Sequence, residues 1–201
     1  MMKPIFIFDV GGVLVDWNPR YLYRKIFSSE KEVEHFLTDI CPPAWNETLD
    51  AGRPFKEACE EKAKEFPQYA SQIESYRTRW QEMIGGPVAG TAEIVQELQE
   101  KGYTLYALSN FSAETFPSTK KRFKVLSLFD GIVLSGEEKI NKPDFEIYRR
   151  LLNRYALQAE DCLFIDDNKE NIAAAKQLGF QTIHFTSADT LRQVLRQDGY
   201  L

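Results

Sequence analysis

The sequence predicts an α/β protein in which a doubly wound parallel sheet carries an inserted, all-helical segment. Two observations predict the sheet. Apolar runs of strand length lie at residues 4–9, 103–108 and 162–165, and the first of them is continuously apolar rather than alternating, as in a strand buried on both faces. Segments of helical pattern separate most of these runs, as expected when helices cover both faces of a parallel sheet. The insertion is predicted because residues 17–86 show a helical pattern only.

The first predicted strand spans residues 4–9 and leads into the tight loop Gly11-Gly12, where backbone amides can approach a ligand. Asn18-Pro19 is typical of a helix start, with asparagine as the N-cap and proline at the first helical position. The next helix start is indicated by Ser29 and Glu32, whose spacing matches a capping box.

Two further helices are predicted in the insertion, one with an apolar face after Pro54 and one from Gln72 to Met83. The glycine- and proline-rich run at residues 85–90 then indicates a flexible, turn-rich link. We therefore expect a core domain of residues 1–16 plus 87–201 and a helical cap domain of residues 17–86.

Beyond the link the chain alternates between helix and strand. The predicted elements are helix 91–101, strand 103–108, helix 112–123, strand 132–134, helix 144–155, strand 162–165, helix 169–178, strand 181–185 and a last helix. This alternation is typical of a parallel sheet.

Composition limits the classes of function. The 201 residues are 43% hydrophobic and 27% charged, which is ordinary for a globular protein, and the formal net charge is −5. Because the chain has no run of lysine or arginine, a nucleic-acid partner has no electrostatic support. The three cysteines lack metal-ligand spacing, and no signal peptide or membrane-spanning run is visible. We expect a cytoplasmic protein without a membrane partner, while the oligomeric state stays open.

Polar groups follow the predicted strands or open a helix at four places: Asp9, Ser109-Asn110, Lys142 and Asp166-Asp167. The carboxyl ends of parallel strands converge on one crevice, so these groups can share a site. A carboxylate nucleophile, a cation, a hydroxyl and a pair of metal-binding carboxylates suit phosphoryl transfer. Taken singly, Asp9 could equally cap a turn, and the Asp166-Asp167 pair could cap the helix that follows.

In order and context, these segments resemble the four motifs of the haloacid dehalogenase (HAD) superfamily. They are Asp9-Val10-Gly11-Gly12-Val13-Leu14, Ser109-Asn110, Lys142-Pro143-Asp144 and Asp166-Asp167. The resemblance covers nearly the whole chain and is closest to the group whose helical cap lies between the first two motifs. Within that group the chain resembles sugar-phosphate phosphatases of the Asp-x-Gly-Gly/Asn type. The resemblance implies a Rossmann-like core.

The resemblance also implies catalytic roles. Asp9 is expected to attack phosphorus and become an aspartyl phosphate, with Lys142 neutralising charge between nucleophile and phosphate. Lys139 is the local competitor for that role, but Pro143 after Lys142 matches the family pattern. Ser109 and the backbone amide of Asn110 are expected to hold a phosphoryl oxygen, and the loop at Gly12 is expected to contact substrate.

A magnesium site is implied as well, since Mg²⁺ prefers oxygen ligands. Its expected ligands are the carboxylates of Asp9 and Asp167 and the carbonyl of Gly11. Asp166 is expected to act as a second ligand or through water. Asn171, four positions after Asp167, fits the end of the last motif.

Gly11 departs from the family pattern, because phosphatases of this family usually carry a second aspartate there as general acid and base. A positioned proton donor contributes about 10²–10⁴-fold in rate. Either the reaction is slow, or the leaving group needs little help, or another group supplies the proton. Anomeric sugar phosphates and acyl phosphates have suitable leaving groups, and some relatives with glycine here resemble sugar-1-phosphate phosphatases. Asp16, at the cap hinge, is expected to be a structural anchor.

The cap is expected to set specificity by closing over the site. The segment from Trp45 to Arg53 is a candidate substrate loop, with Arg53 reaching a phosphate or a hydroxyl. Equally, Trp45 would pack inside the cap and Asp50 would cap the helix after Pro54. The two histidines, His35 and His184, are interpreted as structural.

The leading hypothesis is a Mg²⁺-dependent phosphatase of a small phosphorylated metabolite, with sugar phosphates among the candidates. One alternative is a HAD-like protein that binds phosphorylated ligands or a protein partner without turnover, for which Gly11 is the support. The other is a metal-independent 2-haloacid dehalogenase. Those enzymes typically have an aromatic residue at the position of Gly11, and the Asp166-Asp167 pair favours a cation instead.

Overall fold

The computed structural model describes residues 3–201, so the first two residues of the predicted core lie outside it. It confirms the α/β class, with a five-stranded parallel sheet in the order β5-β4-β1-β6-β7 and a separate two-stranded sheet of β2 and β3. The strands are β1 (Ile5–Phe8), β2 (Val15–Trp17), β3 (Ile84–Pro87), β4 (Leu105–Ser109), β5 (Gly131–Leu134), β6 (Cys162–Asp166) and β7 (Gln181–His184).

Strand β1 lies at the centre of the parallel sheet, which explains its continuously apolar sequence. Phe6, Ile7 and Phe8 have no exposed surface, because helices cover both faces. Phe6 is in register with Leu105 of β4 and Leu163 of β6. The carboxyl ends of β1, β4 and β6 therefore finish side by side.

The insertion between β2 and β3 is helical, as predicted. Its α-helices are α1 (Arg20–Tyr23), α2 (Glu30–His35), α3 (Pro43–Asp50), α4 (Phe55–Glu65) and α5 (Ala70–Thr78), with a π-helical turn at Phe36–Ile40 and 3₁₀ turns at Pro67–Tyr69 and Trp80–Met83. The capping box is confirmed, since the Ser29 hydroxyl accepts from the Glu32 amide at 3.3 Å and donates to its carboxylate at 2.8 Å.

An aromatic cluster lies inside the helical insertion. The rings of Tyr23 and Phe36 lie 4.4 Å apart between centroids, and Trp45 meets Tyr76 edge to face at 4.9 Å. Trp45 is only 6% exposed, so it packs inside the cap.

The predicted flexible link is partly wrong, because Ile84–Pro87 is strand β3, paired antiparallel with β2. Glycine permits this pairing: a Cβ at Gly85 would lie 2.5 Å from a carboxylate oxygen of Asp16. That carboxylate accepts a hydrogen bond from the Tyr21 hydroxyl at 2.6 Å, an anchoring contact at the hinge. The two-stranded sheet spans the predicted division between core and cap, which itself stays a prediction.

The remaining helices belong to the segment after β3. They are α6 (Thr91–Glu100), α7 (Phe116–Arg122), α8 (Ser135–Glu138), α9 (Phe145–Tyr155), α10 (Lys169–Gln177) and α11 (Ala188–Gln197). Helix α7 begins later than predicted because Ser112 first closes a turn, its carbonyl accepting from the Phe116 amide at 3.1 Å. Helix α10 is capped by the side chain of Asn168 rather than by the acidic pair before it.

The structure also bears on the cysteines and on membrane-spanning segments. The three cysteines, Cys41, Cys59 and Cys162, are free thiols and buried. Within residues 3–201, none of the helices combines the length and the apolar character needed to cross a membrane.

Candidate active site

Asp9 follows β1 directly and is 7% exposed. Its backbone amide donates to the Ile165 carbonyl at 2.8 Å, and its carboxylate accepts from the Val10 amide at 2.7 Å. The chain then reverses, since the amides of Leu14 and Val15 both donate to the Val10 carbonyl at 2.9 Å. These bonds hold the carboxylate at the central strand's carboxyl end.

The two glycines after Asp9 meet different surroundings. Gly12 has φ +73°, and a Cβ there would lie 2.3 Å from a carboxylate oxygen of Asp167, so only glycine lets these loops approach. A Cβ at Gly11 would meet no heavy atom within 4 Å. The position that lacks the expected second aspartate therefore opens onto free space.

Lys142 is the cation of the site, and its side chain has no exposed surface. Its ammonium lies 3.0 Å from Asp9 Oδ1, 2.6 Å from Asp166 Oδ2 and 2.9 Å from the Leu108 carbonyl. Burial lowers the pKa of Lys142, but the two carboxylates outweigh burial and hold it above the ordinary value. The lysine is therefore charged at neutral pH.

Asn110 fixes the backbone of that lysine. Its side-chain oxygen accepts from the Lys142 amide at 2.7 Å, and its side-chain nitrogen donates to the Lys142 carbonyl at 2.9 Å. The rival, Lys139, donates instead to the Gly52 carbonyl at 2.9 Å. The structure thus brings Lys142, and not Lys139, to the carboxylate of Asp9.

Asp166 is fully buried at the end of β6, and both its oxygens are in use. Besides the ammonium of Lys142, they accept from the Asn168 amide at 2.8 Å and from the Asn171 side-chain nitrogen, which lies 3.1 Å from each oxygen. Asp166 therefore orients the lysine, and the buried Asn171 serves Asp166 directly.

Asp167 is the more exposed member of the pair. The ring of His184 lies 2.9 Å from the Asp167 carbonyl. Sequence analysis missed this contact. The register of β6 and β7, which pairs Asp166 with His184, is what brings the imidazole there.

The donor set suits a hard divalent cation. Asp9, Asp166 and Asp167 each present an oxygen within 4.8 Å of the other two. Burial raises the pKa of Asp9 to about 7, with Asp166 raising it further and Lys142 opposing, and burial together with Asp166 also raises the pKa of Asp167. One ammonium cannot balance three neighbouring carboxylates, so a bound cation would relieve their repulsion.

Ser109 ends β4 and is 1% exposed. Within residues 3–201 its hydroxyl lacks a partner at full hydrogen-bond geometry, but it lies beside the Asp9 carboxylate and helps to lower the pKa of that group. A phosphoryl oxygen bound beside Asp9 would satisfy this hydroxyl.

A cleft of about 70 Å³ lies between the core and the helical insertion. The lining residues are Gly11, Trp17, Asn46, Asp50, Trp80, Asn110 and Phe111. Two of them, Trp17 and Asn46, also line a cavity of about 420 Å³ within the insertion. A substrate could therefore place its phosphate in the core and its organic group under the cap.

Asp50, the last residue of α3, does not cap α4, whose N-cap Pro54 lacks a side-chain partner. Its Oδ2 accepts from the Asn46 side chain at 2.8 Å, and the Asn46 oxygen accepts from the Tyr76 hydroxyl at 2.8 Å. Burial raises the pKa of Asp50 to about 8, with Glu47 and Asp9 adding to the shift and Asn46 opposing it.

Arg53 is the predicted site residue that the structure places elsewhere. Its guanidinium pairs with Glu61 of α4 and lines neither the cleft nor the cavity described above. Substrate binding by Arg53 stays a prediction that this geometry does not support, because the ion pair already engages the side chain.

Comparison with known proteins points the same way as the motifs. Residues 6–185 match the haloacid dehalogenase-like hydrolases. The chain is 29% identical over 197 residues to a sesquiterpene phosphatase of Aspergillus oryzae, covering 95% of this chain and 94% of that protein. It is 23% identical over 180 residues to a phosphorylated carbohydrates phosphatase of Thermotoga maritima, covering 89% of this chain and 82% of that protein.

Solved structures resemble the fold throughout. A HAD family enzyme of Bacteroides thetaiotaomicron, crystallised as a magnesium complex, aligns with a TM-score of 0.77 at 21% identity. The alignment covers 96% of this chain and 98% of that one.

Proposed function

The chain belongs to the haloacid dehalogenase-like hydrolase family, and on that premise we propose that it is a Mg²⁺-dependent phosphatase of small phosphorylated metabolites. The observation that carries the proposal is the buried ion cluster in which Lys142 touches both Asp9 and Asp166, beside Asp167. The phosphatases among the relatives support hydrolysis of phosphate monoesters.

In the proposed reaction an Asp9 carboxylate oxygen attacks phosphorus, and the substrate's leaving oxygen departs with its electron pair. Lys142 offsets the charge between nucleophile and phosphoryl group, and the hydroxyl of Ser109, which lies beside Asp9, donates a hydrogen bond to a phosphoryl oxygen. The aspartyl phosphate is then hydrolysed by water, which regenerates Asp9.

Asp9, Asp167 and the Gly11 carbonyl would hold the Mg²⁺, which supplies positive charge to the phosphoryl oxygens. Asp166 is the poorer direct ligand, because Lys142, Asn168 and Asn171 already occupy its oxygens. Its proposed role is to orient Lys142 and to bind the cation indirectly, through a coordinated water.

Two substrate classes have specific support. Sugar phosphates agree with the missing acid at Gly11, since an anomeric leaving group needs less help, and the T. maritima relative is named for phosphorylated carbohydrates. An apolar, prenyl-like group agrees with the cap cavity, whose lining includes Trp17, Leu37, Cys41 and Tyr76. The A. oryzae relative is named for sesquiterpenes.

Release of inorganic phosphate tests the proposal, with 4-nitrophenyl phosphate, a panel of sugar phosphates and farnesyl monophosphate as substrates. Each is measured with Mg²⁺ and with a chelator, for wild type, Asp9→Asn and the remote control Asp198→Asn. We expect turnover that requires both Mg²⁺ and Asp9. Saturable binding without turnover would favour the binder instead, and metal-independent halide release from a 2-haloacid would favour the dehalogenase.

A further inference from the structure

We propose that Asp50, carried by the cap, is the general acid and base of the phosphatase reaction, acting across the open space beside Gly11. This assignment rests on the proposed function. It adds to it a catalytic residue from the helical insertion. The geometry of the cleft carries the argument.

Few groups around the cleft can supply a proton to the leaving oxygen. An alkyl phosphate departs as an alkoxide, which needs protonation at neutral pH. Seven residues line the cleft beside Gly11, and Asp50 is the one among them whose side chain exchanges a proton in the physiological range. Asn46 and Asn110 are amides, and the two tryptophans donate without ionising.

The carboxyl group of Asp50 is held at one of its two oxygens. Its Oδ2 is fixed by Asn46, which Tyr76 fixes in turn. Its Oδ1 has no hydrogen-bond partner in residues 3–201. That oxygen is not closed off from solvent. One oxygen is therefore anchored, and the other is accessible to carry a proton.

Hydrogen bonds near its carboxyl end hold α3 against the segment that follows β5. The Ser135 hydroxyl donates to the Asp50 carbonyl at 2.6 Å, and the Asn141 side chain donates to the Glu47 carbonyl at 2.7 Å. Lys139 donates to the Gly52 carbonyl just beyond the helix. Three hydrogen bonds thus hold the end of α3 over the active site, so the acid is present when the cap is closed.

The charged surroundings favour the protonated carboxyl. Burial, together with Glu47 on the same helix and Asp9 from the core, raises the pKa of Asp50 to about 8. The contact from α8 is the neutral hydroxyl of Ser135, and the nearby ammonium of Lys139 is bonded to the Gly52 carbonyl. At neutral pH the group would therefore hold the proton that the first chemical step requires.

Asp9 forms a bond to phosphorus while the bond to the leaving oxygen breaks, and that oxygen takes its proton from the Asp50 carboxyl. The Asp50 carboxylate then takes a proton from water, whose oxygen bonds to phosphorus as the Asp9 oxygen leaves. Phosphate departs, and both aspartates regain their starting states.

The test compares Asp50→Asn with wild type on an alkyl phosphate and on 4-nitrophenyl phosphate, whose phenolate leaves without protonation. With the alkyl phosphate we expect kcat to fall about 10²–10⁴-fold. With the aryl phosphate we expect a burst of one equivalent of nitrophenolate, followed by slow turnover, because attack proceeds while hydrolysis of the aspartyl phosphate lacks its base. The alkaline fall that ionisation of Asp50 imposes on wild-type kcat should be absent in the variant.

Rescue provides the second arm. Because a Cβ at Gly11 meets no atom within 4 Å, an added carboxylate should fit, and Gly11→Asp combined with Asp50→Asn should recover alkyl phosphate turnover. Circular dichroism confirms folding, and Asp198→Asn serves as the exposed control. If Asp50→Asn hydrolyses the alkyl phosphate as fast as the wild type does, the role of Asp50 is overturned but the proposed phosphatase function is not. Absence of Asp9-dependent turnover in the wild type would overturn the proposed function and this assignment together.

Discussion

Replacing Asp50 by asparagine should stabilise the protein at neutral and alkaline pH while it impairs turnover. The amide has nearly the shape of the protonated carboxyl, and its oxygen can still accept the bond from Asn46. It cannot ionise, so the variant escapes the cost of a buried carboxylate beside Glu47 and Asp9. Function and stability are thus predicted to oppose each other at this residue.

The sign and size follow from the raised pKa. The folded value is about 8 and the ordinary value 3.8, so the folded state binds the proton more tightly than the unfolded state does. The resulting stability is fully present below pH 3.8 and is lost as pH rises to about 8. At ~1.4 kcal/mol for each pKa unit, the loss reaches about 4 kcal/mol at pH 7. The loss levels off above pH 8 at no more than about 6 kcal/mol, an upper limit because solvent reaches part of the Asp50 side chain.

Urea unfolding at pH 4, 7 and 9 measures the difference between wild type and Asp50→Asn. The two proteins should nearly coincide at pH 4 and diverge progressively above it, with the variant the more stable. The exposed control Asp198→Asn should stay within about 0.5 kcal/mol of wild type throughout. A difference that is constant with pH, or a variant less stable at pH 9, would refute the reasoning.

Three further perturbations test the core of the site. Lys142→Met should abolish phosphate release and, by leaving two buried carboxylates unpaired, lower the free energy of unfolding by about 3–5 kcal/mol at pH 8, less at pH 5; a pH-independent loss in urea unfolding would contradict this. Gly12→Ala forces a Cβ against Asp167 and should weaken Mg²⁺ affinity in calorimetry at least about tenfold. Gly199→Ala shares the positive φ without the clash and should leave that affinity unchanged. Ser109→Ala should weaken competitive inhibition by inorganic phosphate, because it removes a buried hydroxyl donor beside Asp9; equal inhibition in both proteins would exclude contact between Ser109 and phosphate.

The sequence was sufficient for the sheet and the family. Strands β1, β4 and β6 are apolar except for the polar residues that end β4 and β6, because both faces of the sheet are buried, and such a run is visible without any tertiary information. The convergence of their carboxyl ends then brings Asp9, Ser109 and Asp166 together by a general property of parallel sheets. For that reason the α/β class and the family were both predicted correctly.

Local patterns were less reliable where distant chain segments meet. Gly85 and Gly86 are typical of a turn, yet they lie in a strand, because pairing with β2 supplies hydrogen bonds that no nearby residue announces. Arg53 was predicted to bind a phosphate or a hydroxyl, but its guanidinium pairs with the exposed carboxylate of Glu61 in α4, the helix that follows it. His184 was interpreted as structural, and only the register of two strands shows that it contacts the Asp167 carbonyl.

The sequence by itself determined which residues stand at the ends of the central strands, because burial on both sides imposes a pattern that each strand carries alone. Only the tertiary structure decided what faces Gly11. Asp50 comes from a helix in the insertion, and its position depends on the hinge strands and on the three hydrogen bonds that hold the end of α3 to the core. Its raised pKa likewise comes from burial and from neighbours that include Asp9 of the core. No spacing in a linear sequence encodes such an environment, since it exists only once the helical insertion lies over the ends of the central strands.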